Sequence, residues 1–245
     1  MLGIFYSPHA TSIDNEAGRA SGHADVPLSA LGRQQAKELG QHYTEEMFDA
    51  LYSSDLQRAV TTCEIAFSSR SVPIIQDARL RECDYGEMTQ YPFVQIEKER
   101  ARRITEPFPN GESILMVVQR VGTFLRDILH EYNGKTIVII GHGATRYALA
   151  YWCGNVSLEE IVCTPHQWRE IPIWHYELNV HNEEDTASVL FLYASYSTVY
   201  WRNPVALSCG ETSRRDANSS MPRLCRLTAS VEQVWCSRHR NGSSS

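Results

Sequence analysis

Two histidines, one arginine and one glutamate carry the chemistry most readily read from this chain. Each histidine closes a short apolar run, Leu2-Gly-Ile-Phe-Tyr-Ser-Pro8-His9 and Lys135-Thr-Ile-Val-Ile-Ile-Gly141-His142. An apolar run that stops at a small residue and then enters a helix reads as a buried parallel strand. Both imidazoles are therefore expected at strand C-terminal ends, where open α/β sheets build their sites. Arg58 and Glu82 follow two other predicted strands. An imidazole nitrogen can attack phosphorus, cationic donors can hold its oxygens, and a carboxyl group can move a proton. Together the four form a set able to hold and attack a phosphoryl group.

The elements that must position this set alternate along the chain. After the first strand come a loop of small and polar residues, Ala10 to Pro27, and a helix from the N-cap Ser29 to about residue 46. Asp49–Ser54 reads as a strand, and Asp55 opens a helix to about Phe67. Val72–Leu80 reads as a third strand near an edge, because Pro73 cannot donate to a ladder. Residues 92–103 are charged and read as helix, and Pro107, Pro109 and Asn110-Gly111 mark a loop before a helix from Ser113 to about Tyr132. The strand at 135–140 is followed by a helix after His142, with further strands expected at 170–178 and 187–194. This order predicts one doubly wound, three-layer α/β domain over residues 1–200 with a mostly parallel central sheet.

Composition narrows the class. At 245 residues and 42% hydrophobic the chain can bury one sizeable core, and no 18-residue apolar stretch is present to span a membrane. The N-terminal run is too short and lacks the basic flank of a leader, so it is read as strand. Seven cysteines, an odd number without a C-x-x-C pair, argue against a disulfide or zinc framework and for a reducing, cytoplasmic compartment. A net charge of −6 argues against nucleic acid as the main partner. From Arg202 onward seven arginines meet three acids, a local charge of +4 that leaves −10 on the rest of the chain. Without sustained periodicity, residues 201–245 read as a basic, disordered tail.

The motifs also resemble a family. His9-Ala-Thr-Ser-Ile-Asp-Asn15, Gly22-His-Ala-Asp-Val-Pro-Leu-Ser29 with Gly32, Ser53-Ser-Asp-Leu-Gln-Arg58-Ala, Leu80-Arg-Glu82-Cys-Asp-Tyr-Gly86, Gly111-Glu-Ser113 and Gly141-His142-Gly143 fall in an order and spacing similar to those of histidine phosphatases, in their phosphoglycerate-mutase-like branch. The resemblance covers residues 2 to about 150. It implies that His9 is a nucleophile forming a phosphohistidine, that Arg58 and His142 clamp the phosphoryl oxygens, and that Asn15 is a neutral donor in the same pocket. Glu82 would protonate the departing alkoxide and then help activate water. Nothing in the set needs a metal or other cofactor. One position departs from the pattern: where the family carries Arg-His-Gly, this chain has Pro8-His9-Ala10. Arg146 and Arg19 are the nearest candidates by sequence to replace the lost cation.

The expected activity is that of a phosphomonoesterase acting through a phosphohistidine on a small phosphorylated metabolite. The alternative is a non-catalytic or weakly active phosphate-binding domain that has lost its first clamp arginine. A phosphoglycerate-type mutase is less favoured, because the resemblance implies a longer capping insertion in mutases than the 60 positions from Glu82 to His142 found here. Leaving-group specificity is expected in segment 88–110, through Lys98, Arg100, Arg102 and Arg103 or through none of them if they form a solvated helix face. No chemistry is assigned to His23, His166 or His175.

Overall fold

The computed structural model describes residues 1–43, 48–154, 156–164 and 172–178. A five-stranded sheet runs in the order β3-β2-β4-β1-β5, formed by β1 (Leu2–Pro8), β2 (Ala50–Ser53), β3 (Ile74–Gln76), β4 (Thr136–Gly141) and β5 (Trp174–Leu178). The first four are mutually parallel, and β5 lies antiparallel against β1. Strand β4 is buried on both faces, which is why its sequence is continuously apolar rather than alternating. Ile137 and Ile139 join the larger core with α5 (Ile114–Glu131), α6 (Gly143–Gly154) and α7 (Leu158–Cys163). Val138 and Ile140 join the smaller one with α2 (Ala30–Gln41) and α3 (Gln57–Ala66). Helices on both faces of a mostly parallel sheet make the expected three-layer α/β domain.

Local sequence explains the main helices. Ser113 accepts the Met116 N–H at 3.2 Å and caps α5, whose buried residues Ile114, Val117, Val118, Val121, Phe124, Leu125 and Ile128 follow the 3–4 spacing of one helix face. Burying each of the larger ones stabilises the domain by roughly 1.5–3 kcal/mol. Ser29 caps α2 by accepting the Gly32 N–H at 3.1 Å. Helix α3 has no cap from its own Leu56; instead Asp25, from the loop after β1, accepts the Gln57 N–H at 2.7 Å. The turn that carries Arg58 is thereby tied to the 22–25 loop.

Several boundaries differ from the sequence reading. The third strand keeps only Ile74–Gln76, because the Asp77 side chain accepts the Arg79 N–H at 2.8 Å and turns Ala78–Leu80 into a 3₁₀ turn. It does lie at the sheet edge. The loop after β1 contains a single-turn helix, α1 (Ile13–Glu16), and the charged segment divides into α4 (Phe93–Glu99) and a 3₁₀ turn at Arg102–Ile104. Helix α7 was not anticipated. The strand expected at 187–194 and the 201–245 tail lie outside the described residues.

Pro8 sits at the end of β1 without costing a ladder bond. The Gly3 and His9 N–H groups donate to the carbonyls of Lys135, just before β4, and of Gly141 at its end, so the even-numbered residues of β1 face β5. That strand's pairing begins at Trp174 opposite Tyr6, so among the described residues position 8 has no partner on the β5 side. Proline is compatible there because its missing N–H would have had no acceptor.

Candidate active site

The register Pro8↔Gly141 places β1 and β4 side by side, and His9 and His142 leave the sheet at the same edge with ring centroids 5.0 Å apart. The His9 N–H donates to the Gly141 carbonyl at 2.9 Å, which locks the two strand ends together. Nδ1 of His9 lies 2.7 Å from the Ala10 carbonyl, an acceptor, so Nδ1 carries the proton. Nε2 then holds a lone pair, and Arg58 Nε donates to it at 3.2 Å. Enclosure by protein, helped by the Arg58 charge, lowers the His9 pKa from 6.5 to about 3. The imidazole is neutral at working pH.

Arg58 is 1% exposed and stands in the first turn of α3. Its Nη1 donates to the Ala24 carbonyl and its Nη2 to the Gly22 carbonyl, both at 2.8 Å. The guanidinium is thus aimed by three bonds and retains one further N–H on each terminal nitrogen.

His142 is fully buried. Its Nε2 lies 2.6 Å from Ser54 Oγ, and that oxygen already accepts the Leu56 N–H at 3.4 Å. Nδ1 of His142 is buried with no hydrogen-bond partner among the described residues, and donation of the serine proton to Nε2 leaves it as a buried N–H donor. Tyr6 donates its hydroxyl to the His142 carbonyl from below. Burial and the Arg58 charge push the His142 pKa well below its usual 6.5.

Glu82 reaches the same edge from the loop after β3. Its Oε1 accepts the N–H groups of Cys83 (2.9 Å) and Ala144 (3.1 Å), and its Oε2 accepts that of Gly143 (3.1 Å). The carboxyl group therefore sits at the N-terminus of α6, the helix that follows His142. Its loop is braced by close backbone approach: Gly86 has φ +52°, and a Cβ there would lie 2.0 Å from the Pro109 carbonyl oxygen. Arg120 reaches in from α5, donating to the Glu82 carbonyl at 2.8 Å and to Glu112 Oε1 at 2.9 Å. Burial alone would raise the Glu112 carboxyl, but Arg120 holds it below the ordinary carboxylate range.

The remaining expected residues are placed as follows. Asn15 is exposed and closes a capping box at α1: its Oδ1 accepts from the Ser12 N–H at 3.0 Å, while its own N–H donates to Ser12 Oγ at 3.2 Å. Arg146 lies one turn into α6, its guanidinium 5.3 Å from the Tyr147 ring centroid and 5.4 Å from that of Trp174. Arg19 is exposed and its backbone bridges to Pro92. The arginines whose charges lower the His142 pKa are Arg58 and Arg120. In segment 88–110, Arg103 pairs with Glu99 at 2.8 Å and Glu106 at 3.2 Å, Arg102 with Glu106, and Arg100 with Glu97; Lys98 is exposed. The segment joins the loop after β1 through Ala20 N–H to Tyr91 O (3.0 Å) and Phe93 N–H to Gly18 O (2.8 Å).

Glu112, from the Gly111-Glu-Ser113 motif, also belongs to this arrangement, as do Ser54, His23 and Arg120, which were given no role from the sequence. Ser54 and His23 had a local signal, standing in Ser53-Ser-Asp-Leu-Gln-Arg58 and Gly22-His-Ala-Asp, whereas Arg120 lies outside every motif.

The chain is similar to known proteins in sequence and in fold. The chain is 28% identical over 194 residues to the uncharacterized phosphatase PhoE of Bacillus subtilis, covering 74% of this chain and 97% of that protein. It is 33% identical over 168 residues to phosphoserine phosphatase 1 of Hydrogenobacter thermophilus, covering 65% and 78%. Among solved structures, Bacillus stearothermophilus YhfR superposes with a TM-score of 0.65 at 26% identity, covering 74% of this chain and 93% of that one. Residues 7–182 match the profile of the histidine phosphatase superfamily, branch 1, and with both histidines at one sheet edge beside Arg58 and Glu82 the chain belongs to that superfamily.

Proposed function

We propose that the protein is a phosphomonoesterase that hydrolyses a small phosphorylated metabolite through a phosphohistidine on His9. The observation that carries this reading is the pair of imidazoles 5.0 Å apart, His9 half-buried and presenting an Nε2 lone pair, His142 fully buried with an unpartnered Nδ1–H. A buried donor without a partner costs roughly 1–3 kcal/mol, and an anionic phosphoryl oxygen between the rings would satisfy it. The phosphatase names of the Bacillus and Hydrogenobacter relatives support the same class.

In the first step His9 Nε2 attacks phosphorus, the P–N bond forms and the ester P–O bond breaks. Arg58, His142 and Asn15 meet the equatorial oxygens as charge spreads over them, with Arg146 supplying the cation that Pro8 does not. Glu82, carrying a proton, gives it to the departing alkoxide. In the second step Glu82 takes a proton from water, the hydroxide attacks phosphorus, and the P–N bond breaks to return His9 and release inorganic phosphate. An uncapped intermediate of this kind goes to water, which favours hydrolysis over transfer to a second sugar acid.

Pro8 in place of the family's arginine favours one second reading, a domain that binds phosphate and turns over slowly or not at all. Alkaline quenching of a reaction with ³²P-labelled substrate distinguishes the two. Label is expected on the peptide 1–19 of the wild type and absent from His9→Ala. Label surviving in His9→Ala overturns the nucleophile, and phosphate-induced thermal stabilisation without turnover selects the binding domain.

A further inference from the structure

His23 stands between the two residues whose carbonyls hold the clamp arginine, Gly22 and Ala24. Its own side chain reaches the other half of the site: Nε2 donates to the backbone carbonyl of Glu82 at 2.8 Å. The same carbonyl accepts from Arg120 Nη2 at 2.8 Å, so it is pinched between two donors from different parts of the chain. Arg120 is anchored in turn by both oxygens of Glu112, at 2.9 and 3.0 Å, and Glu112 Oε2 accepts the Asp84 N–H at 3.0 Å. His23 also lies near carboxylates, with Nδ1 3.6 Å from Asp84 Oδ2 and Nε2 3.9 Å from Glu112 Oε2.

Glu82 lies in neither a helix nor a strand, so nothing in its own secondary structure sets its direction. Its position comes from the N–H groups around its carboxyl group and from the two donors on its carbonyl. Loss of one carbonyl donor lets the peptide tilt, and a carboxyl group displaced by a fraction of an ångström transfers a proton poorly.

We infer that His23 is a positioning residue for the leaving-group acid, a side chain that ties the loop holding Arg58 to the loop carrying Glu82 and so sets the acid relative to the His9–Arg58 pair. The inference rests on the phosphomonoesterase reading. His23 touches no reacting atom; it acts through the Glu82 peptide. Glutamine can present an amide N–H to the same carbonyl, whereas alanine cannot and asparagine is a methylene shorter.

Steady-state kinetics of the full chain on an alkyl phosphate and on p-nitrophenyl phosphate test this. His23→Ala is expected to lower kcat about tenfold or more on the alkyl ester and much less on the aryl ester, whose leaving oxygen needs little protonation. KM and inhibition by inorganic phosphate should stay within about twofold, and His23→Gln should recover most of the alkyl rate. Equal losses on both esters, a raised KM, or failure of glutamine to rescue would overturn the role, as would an alanine variant with wild-type rates. Should His23→Ala fail to fold, His23→Gln against His23→Asn gives the same comparison. Wild type inert on both esters would instead overturn the phosphomonoesterase reading on which the inference stands.

Discussion

Arg58 donates its Nε–H to the very nitrogen of His9 that would attack phosphorus, at 3.2 Å, while the other ring nitrogen is committed to the Ala10 carbonyl at 2.7 Å. One bond fixes the tautomer and the other aims the lone pair. The arginine is therefore both part of the phosphate clamp and the orienting group of the nucleophile. It can fill both places because Gly22 and Ala24 hold its terminal nitrogens from the opposite side.

A point charge cannot replace that fork. Arg58→Lys keeps the charge but loses the bonds to Gly22, Ala24 and His9, so kcat/KM is expected to fall by about a hundredfold or more, which corresponds to losing one or two charge-assisted hydrogen bonds. Competition by orthovanadate should weaken in parallel. A lysine variant within about threefold of wild type would show that charge alone suffices.

Glu82→Gln removes the proton that meets the leaving group while its amide oxygen can still accept the Cys83 and Ala144 N–H groups. Alkyl phosphates should slow far more than aryl phosphates, by about tenfold or more in the ratio of their kcat values. Equal slowing would move the acid to another carboxylate of the loop, Asp84 or Glu112.

Acid stability tests the two neutral imidazoles. Above pH 6.5 the histidines are neutral in both the folded and the unfolded chain and add nothing to the pH dependence. As pH falls below 6.5 the unfolded chain takes up protons that the folded site refuses, down to about pH 3 for His9. Stability should therefore fall with acidification by up to about 1.4 kcal/mol per pH unit for each histidine. Urea unfolding between pH 4 and 7 should show a shallower acid slope for His9→Asn than for wild type. Parallel slopes would mean that His9 is protonated in the folded protein at those pH values.

Pro8 tests the clamp. Arg146 is one helical turn from His142, its backbone N–H donating to the His142 carbonyl at 3.1 Å. Arg146→Ala is expected to cost about 2 kcal/mol in transition-state stabilisation, roughly thirtyfold in kcat/KM, with Arg19→Ala near wild type. Pro8→Arg should then add little. If Arg146→Ala and Arg19→Ala are both silent and Pro8→Arg raises kcat/KM strongly, the native clamp is incomplete and the phosphate-binding reading stands.

The apolar runs ending at His9 and His142, the Ser113 and Ser29 caps and the edge placement of Pro73 were legible in the sequence because each depends on residues within a few positions of one another. Local periodicity and capping operate over a turn or a strand, so they can be read without knowing where the chain returns. Tertiary structure decided what stands beside what. The order β3-β2-β4-β1-β5 seats Pro8 opposite Gly141, 133 positions away, and turns two separate histidines into one site. It brings Ser54 to His142 across 88 positions and His23 to Glu82 across 59. Asn15 reads as a phosphate donor from its motif, and the fold adds that its Oδ1 closes the cap of a helix too short to be foreseen, so that only its amide nitrogen can serve as that donor. These pairings follow from packing two helical layers against one sheet, a condition on the whole chain that no short stretch of it encodes.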